Sequence, residues 1–379
     1  MTVYVRHIGT LVPENAYSQA SACERMKNWV SDERNRRLIH SAFRHSGIET
    51  RYSVLSDFRD GGTDPLFRLG PDGIPVEPTT RARNDRFAQE ARSMAVNIAR
   101  STIEQCPDIA PGDITHVITV TCTGFTSPGP DYYIARDLNL RPDVQRYALG
   151  FMGCYAALPA LRMAWQFCRA DPSAVVLVMS IELCSLHLHL ADRMDSLLAN
   201  TIFADGAATA IVTAQEPPSE HNAFAIDGFA SALIPEGEKD MAWKIGDEGF
   251  EITLSSYVPG IIGGRIQSLI QPVLKIHGLC AEDIGWWAIH PGGKAILDKV
   301  QNELRLRPEQ VEASRTVLRK YGNMSSATSL FVLKELLETH DAAAGHERVF
   351  AIAFGPGLTV ETAVLRLITG KPLAKRCGL

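Results

Sequence analysis

Asp113-Ile114-Thr115-His116-Val117-Ile118-Thr119-Val120-Thr121-Cys122-Thr123-Gly124 reads as a turn, a short β-branched run and a second turn. A run of this length bounded by turn formers predicts a strand buried on both faces, over residues 116–121. The same grammar returns later. Asp283-Ile284 precedes Trp286-Trp287-Ala288-Ile289, which ends in His290-Pro291-Gly292-Gly293. The offset from 113 to 283 is 170 residues, and from Cys154 it lands inside Gly322-Asn323-Met324-Ser325-Ser326. Gly153-Cys154 and Asn323-Met324-Ser325 each enter an apolar helical segment, the first over residues 156–167. A strand over 174–180 is echoed over 349–354. The repeat predicts a duplicated α/β fold with mostly parallel central strands, its halves spanning 1–222 and 223–379. An amphipathic helix is expected over 84–105, and the polar, Gly- and Pro-rich stretch 57–80 is expected to be a loop.

Composition narrows the function. The chain has 379 residues, of which 45% are hydrophobic and 21% charged, enough to bury a large core. A formal charge of −5 argues against nucleic acid or anionic membrane as partner. No apolar run is long enough to cross a bilayer, and residues 1–10 lack a secretion-signal pattern, so a cytoplasmic protein is expected. The eight cysteines, Cys377 among them, include no Cys-x-x-Cys pair, which fits reduced thiols and no zinc. His187-Leu188-His189 would place two imidazoles on one side of a strand, but no third ligand is near in sequence, so no metal is expected. Gly355-Pro356-Gly357 is a rigid turn without the Gly-Lys-Ser/Thr ending of a phosphate loop.

Cys154 lies in Gly150-Phe151-Met152-Gly153-Cys154-Tyr155-Ala156-Ala157. The small residues permit a tight turn, and Pro159 suits the first turn of a following helix. A sulfur at a helix N-terminus is expected to gain thiolate character from unpaired N–H groups and the macrodipole. His290 closes an apolar strand ahead of Pro-Gly-Gly. Asn323 sits in a Gly-Asn turn, where a structural cap is the plainer use. Together they supply a nucleophile, a proton acceptor and an amide donor, a set suited to forming a thioester and stabilising an oxyanion.

At this point the chain resembles the type III polyketide synthases, the chalcone-synthase-like branch of the thiolase superfamily. The resemblance rests on Gly153-Cys154-Tyr155-Ala156, Phe203-Ala204-Asp205-Gly206-Ala207-Ala208, His290 to Leu297, Tyr321-Gly322-Asn323-Met324-Ser325-Ser326, and Phe354 to Thr362. It implies a thiolase-like five-layer αβαβα fold, a homodimer, and a Cys154–His290–Asn323 triad. It implies acyl-CoA and malonyl-CoA as substrates and no metal or organic cofactor, because decarboxylation itself makes the carbon nucleophile. Phe203 takes the place of the phenylalanine between the coenzyme A tunnel and the reaction cavity. The resemblance further implies that Ile252, Leu254, Ser325, Gly355 and Pro356 line the substrate cavity.

The chain departs from the plant members at Cys122, Cys184 and His187, where threonines are usual, and at Ser127, where a methionine is usual. The segment Trp243-Lys244-Ile245-Gly246-Asp247-Glu248-Gly249-Phe250 resembles bacterial enzymes that make alkylpyrones or alkylresorcinols. Smaller cavity residues are expected to open room for a medium- or long-chain fatty acyl starter. Arg36, Arg37 and Arg44, on an expected helix, are candidates for the coenzyme A phosphates. The competing readings are an initiating β-ketoacyl-carrier-protein synthase and a cysteine acyl-thioester hydrolase.

Overall fold

The computed structural model describes residues 1–30, 32–58, 64–71, 73, 75–190, 194–339 and 347–370. The expected loop at 57–80 lies only partly within these, and Cys377 lies outside them. In chain order the first half contains β1 (Val3–Leu11), β2 (Asn15–Ser18), α1 (Gln19–Asn28), α2 (Glu33–His45), β3 (Thr50–Ser53), α3 (Thr80–Glu104), β4 (His116–Thr121) and α4 (Pro130–Asp137). It continues with β5 (Gln145–Gly150), α5 (Ala157–Ala170), β6 (Val175–Leu183), α6 (Met194–Ile202) and β7 (Asp205–Thr213). The second half contains β8 (Ala223–Leu233), β9 (Met241–Gly246), β10 (Gly249–Leu254), α7 (Val258–Ile276), β11 (Trp286–Ile289) and α8 (Lys294–Glu303). It ends with α9 (Glu312–Tyr321), α10 (Ala327–Thr339), β12 (Arg348–Gly355) and β13 (Thr359–Ile368).

The repeat is exact where it carries most structure. β4 and β11 start 170 residues apart, at 116 and 286, and so do α5 and α10, at 157 and 327. Even the turns ahead of the two strands match. Asp113 Oδ2 accepts from the Ala110 N–H and Asp283 Oδ2 from the Cys280 N–H, both at 2.8 Å.

Alternation along the strands builds the layers. In β6, Val176 and Val178 pack inward with Leu161 of α5 and Leu330 of α10, while Leu177 and Met179 pack outward with Phe87 and Ala95 of α3. In β12, Val349 and Ala351 share the inward cluster, while Phe350 and Ile352 face Ile266 of α7 and Leu297 of α8. Helix, sheet, paired central helices, sheet, helix is the five-layer arrangement that the resemblance implies, and it explains why these strands are buried on both faces.

Strand direction corrects the sequence reading. Read outward from a β1·β8 seam, the main sheet runs β1, β7, β6, β4, β5 one way and β8, β13, β12, β11 the other. Only β4·β5, β4·β6 and β11·β12 are parallel, while the five pairs nearer the seam are antiparallel. A short turn, as at Pro356–Leu358 between β12 and β13, can only join antiparallel neighbours. Two boundaries also move. α3 begins at Thr80 because Thr79 caps it, accepting from the Ala82 N–H at 3.2 Å. β6 runs on to Leu183 because Ile181, Glu182 and Leu183 continue its ladder with β7, opposite Ala207, Gly206 and Asp205.

Leu161 is fully buried in the central helix layer, whereas Ile276 is 80% exposed at the end of α7. Leu161→Ala is expected to cost about 2–5 kcal/mol through the cavity it leaves. Ile276→Ala is expected to stay within about 0.5 kcal/mol, as surface substitutions do. Chemical denaturation midpoints check both.

Candidate active site

Cys154 stands three residues ahead of α5, in a turn where Phe151 and Gly153 adopt positive φ, 60° and 85°. A Cβ on Gly153 would lie 2.4 Å from Pro356 Cδ, and one on Gly355 would lie 2.4 Å from Tyr155 Cδ1. The two glycines therefore let a turn of the first half seat against a turn of the second. Cys154 is half-buried and opens onto a cavity, with protein packed densely around the sulfur. That desolvation pushes its thiol up to about 11, with hydrogen bonds to the Ser325 and Asn323 side chains pulling it back. Desolvation thus opposes the expected thiolate, and α5 begins only three residues beyond the sulfur.

His290 continues from β11, its N–H donating to the Ile352 carbonyl at 2.8 Å. It is 1% exposed. Neither ring nitrogen has a hydrogen-bond partner among the described residues, and desolvation brings its pKa down to about 3. Burial therefore favours the neutral ring, and among the described residues both nitrogens stand without a protein partner. Asn323 is oriented firmly. Its Oδ1 accepts from the Ser325 N–H at 2.8 Å and the Thr328 hydroxyl at 3.4 Å. Its Nδ2 donates to the Gly292 carbonyl at 3.4 Å, beside His290. The carboxamide thus turns donors, not its acceptor, toward the cavity.

Cys154, His290 and Asn323 line one cavity, whose walls are mostly apolar. Phe203, Cys122, Cys184, Ile252, Leu254, Ser325 and Pro356 also line it, as the sequence reading expects. Gly355 acts from behind, through its close approach to Tyr155. Phe203 forms a parallel bridge with Asn323, secured by Ala204 N–H to the Asn323 carbonyl at 2.9 Å and Asn323 N–H to the Ile202 carbonyl at 2.8 Å. Its ring also lines a second cavity, which shares Cys184, Trp243 and Ile252 with the first.

Other candidates fall elsewhere. Ser127 is exposed on a surface loop and does not line the cavity of its own chain. His187 lines only the second cavity, and both its nitrogens are engaged: Nε2 donates to the Thr123 carbonyl at 2.7 Å, and Nδ1 accepts from the Phe250 N–H at 3.0 Å. That tautomer leaves no lone pair for a metal. The metal-ligating side chains that do converge among the described residues, Cys23, Glu24 and His40, lie on α1 and α2 and line no part of the cavity. Arg36 donates from Nε to the Val30 carbonyl at 2.8 Å, and Arg37 and Arg44 are exposed; none of the three lines a described cavity. Their helix still walls a third cavity, through Ala42, His45 and Ser46. This cavity shares Leu254, Gly292 and Ile296 with the first and is also lined by Lys294.

Two residues escaped the sequence reading as site components. Glu182 is fully buried and accepts from the Cys122 N–H at 3.0 Å, the Thr123 hydroxyl at 3.0 Å and the Ser326 hydroxyl. Burial raises its pKa, and these donors lower it. An acid inside the otherwise apolar run of β6 was the available signal. Trp243 donates from Nε1 to the Cys122 carbonyl at 3.1 Å and spreads its indole between the two cavities. It takes up room that Cys122 and Cys184 were expected to open.

A thiol, an imidazole and an amide donor in an apolar enclosure fit acyl transfer away from water. Comparison with known proteins agrees. The N-terminal domain family of chalcone and stilbene synthases matches residues 2–217, and the C-terminal domain family matches 226–369. The chain belongs to the chalcone and stilbene synthase family. It is a type III polyketide synthase, an enzyme class that uses acyl-CoA and malonyl-CoA. It is 31% identical over 366 residues, 96% of this chain and 91% of the relative, to the alpha-pyrone synthesis polyketide synthase-like Pks18 of Mycobacterium tuberculosis. Its fold superposes on PKS-I of the brown alga Ectocarpus siliculosus with a TM-score of 0.90 at 30% identity, covering 97% of this chain and 99% of that one. It also superposes on the C-terminal type III polyketide synthase domain of Steely1 from Dictyostelium, with a TM-score of 0.86 at 28% identity, covering 97% and 100%.

Within this polyketide synthase, Trp243→Ala is expected to join the two cavities. Steady-state kinetics should then show a several-fold rise in the ratio of kcat/KM for dodecanoyl-CoA to that for butyryl-CoA. An unchanged ratio means that the indole does not limit the starter.

Proposed function

We propose that this polyketide synthase loads a medium- or long-chain fatty acyl group onto Cys154, extends it with malonyl-CoA and cyclises the product to an alkylpyrone or alkylresorcinol. The observation that carries the chemistry is the convergence of Cys154, His290 and Asn323 in one apolar cavity. The aliphatic starter is supported by the lining residues Met241, Ile252, Leu254, Ile296 and Phe354, and by the similarity to Pks18, whose name describes alpha-pyrone synthesis.

In the loading step Cys154 Sγ passes its proton to the His290 imidazole as it attacks the acyl-CoA carbonyl. The acyl-thioester forms, and coenzyme A leaves with that proton. Malonyl-CoA then binds with its thioester oxygen against His290 and Asn323 Nδ2. Its carboxylate leaves as carbon dioxide, and the electron pair becomes an enolate stabilised by those donors. The enolate carbon attacks the Cys154 acyl-thioester, which forms the carbon–carbon bond and frees the sulfur. Phe203 shields the intermediate from water. His45 and Lys294 line the outer cavity, which Arg36, Arg37 and Arg44 do not, and Lys294, held by Asp298 at 2.5 Å, would exchange that partner for a phosphate of coenzyme A. The reaction requires no metal or organic cofactor.

The two units, 1–222 and 223–379, work as one body because each supplies part of the site. We further propose a cytoplasmic homodimer. β5 is an edge strand whose residues are all exposed or half-buried, and Phe125 and Tyr132, on adjacent segments, are 42% and 37% exposed, a surface suited to a second copy. Light scattering after size-exclusion chromatography should return twice the chain mass.

Product analysis over a series of acyl-CoA starters with malonyl-CoA tests the main reading. Fatty starters are expected to give alkylated pyrones or resorcinols, and faster extension of aromatic starters would overturn the starter class. Cys154→Ala is expected to stay folded, carry no acyl adduct by intact mass and form no extended product. His290→Ala and Asn323→Ala are each expected to slow carbon dioxide release from malonyl-CoA about 10²–10³-fold, as loss of one oxyanion donor does.

A further inference from the structure

Arg51, on β3, takes no part in the steps above, yet it is buried at 2% exposure beneath the site. Its Nη1 donates to two carbonyls, that of Asn200 at 2.8 Å and that of Phe203 at 2.7 Å. Its guanidinium carbon lies 5.4 Å from the ring centres of both Tyr17 and Phe43. Its stem runs against the other side of the site. A Cβ built on Gly322, whose φ is 74°, would stand 3.0 Å from Arg51 Cγ and 3.0 Å from the Ile202 carbonyl oxygen. That same Ile202 carbonyl accepts from the Asn323 N–H, and the Asn323 carbonyl accepts from the Ala204 N–H. One buried side chain thus grips both segments of the Phe203·Asn323 bridge. It holds the first through its guanidinium and presses on the second with its stem.

A buried guanidinium carries a large desolvation cost, and an apolar residue of similar size would often give an equally stable core. Arg51 also keeps Nε and Nη2 without a hydrogen-bond partner among the described residues. What it provides that a leucine or methionine cannot is a rigid donor fixing two carbonyls at one separation.

We propose that Arg51 is a positioning residue for decarboxylation and condensation. By holding Phe203 in register with Asn323, it places the Asn323 carboxamide beside Cys154. This inference rests on the role given to Asn323 above.

The test makes Arg51→Gln and Arg51→Lys, each alone and combined with Asn323→Ala. It measures kcat and KM for malonyl-CoA decarboxylation, with thermal denaturation to verify folding. Arg51→Gln is expected to lower kcat about 10–100-fold, the scale of a misplacement of about 1 Å. KM should stay within about threefold if binding is untouched. Arg51→Lys, which keeps stem and charge, should recover part of kcat. On the Asn323→Ala background either change should cost less than about threefold more, because residues acting through one group are not additive. Wild-type kcat in folded Arg51→Gln, a loss confined to KM, or a fully multiplicative loss with Asn323→Ala overturns the inference. If Arg51→Gln does not fold, Arg51→Lys carries the comparison under the same criteria. Wild-type decarboxylation by Asn323→Ala alone would overturn the role of Asn323 instead.

Discussion

Two tight turns from opposite halves of the chain must pass within van der Waals reach of each other for this site to exist. Gly153 meets the Pro356 ring, and Gly355 meets the Tyr155 ring, at separations that leave no room for a Cβ at either glycine. The contact puts the sulfur of the first half in the same enclosure as the imidazole and carboxamide of the second. The Phe203·Asn323 bridge is a second tie between the halves. The β1·β8 seam is a third, where Val3–Val5 pair with Phe224–Ile226. The central helices α5 and α10 share one apolar cluster, so neither half has a complete core without the other.

The enclosure sets the electrostatics. Desolvation acts on Cys154 and His290 in opposite directions and favours the uncharged form of each. In the proposed reaction charge arises only at the moment of transfer, when a proton crosses from sulfur to imidazole or when electrons reach a thioester oxygen. Donors already oriented in a water-poor cavity need little rearrangement to meet that charge. The rigidity of Asn323, with its acceptor occupied by Ser325 and Thr328, serves this end. Glu182 and its donors tie the strands and loops behind Cys122 and Ser326 into one polar knot within the apolar layers.

Cavity shape is a balance of substitutions distant in sequence. Cys122 and Cys184 are small, but the Trp243 indole on β9 lies across the space beside them, anchored to the Cys122 carbonyl. His187 stacks on Phe250 with ring centres 4.1 Å apart, closing the wall further. Reading one position at a time suggests an open chamber. Side chains from four separate elements determine its actual shape.

The sequence by itself determined a duplicated α/β fold, because a repeat of strand, turn and apolar helix at constant offset is a local pattern that survives in linear order. It determined Cys154, His290 and Asn323 as candidates, because glycine-flanked turns after buried strands mark where a fold exposes chemistry. Strand direction depended on tertiary structure, because it follows from connection length and partner choice rather than from apolar content. The same holds for Glu182, Trp243 and Arg51, whose importance lies in contacts with residues about 60 to 270 positions away. The protonation preferences of the thiol and imidazole were also decided there, because desolvation depends on everything packed around a group and not on its neighbours in the chain.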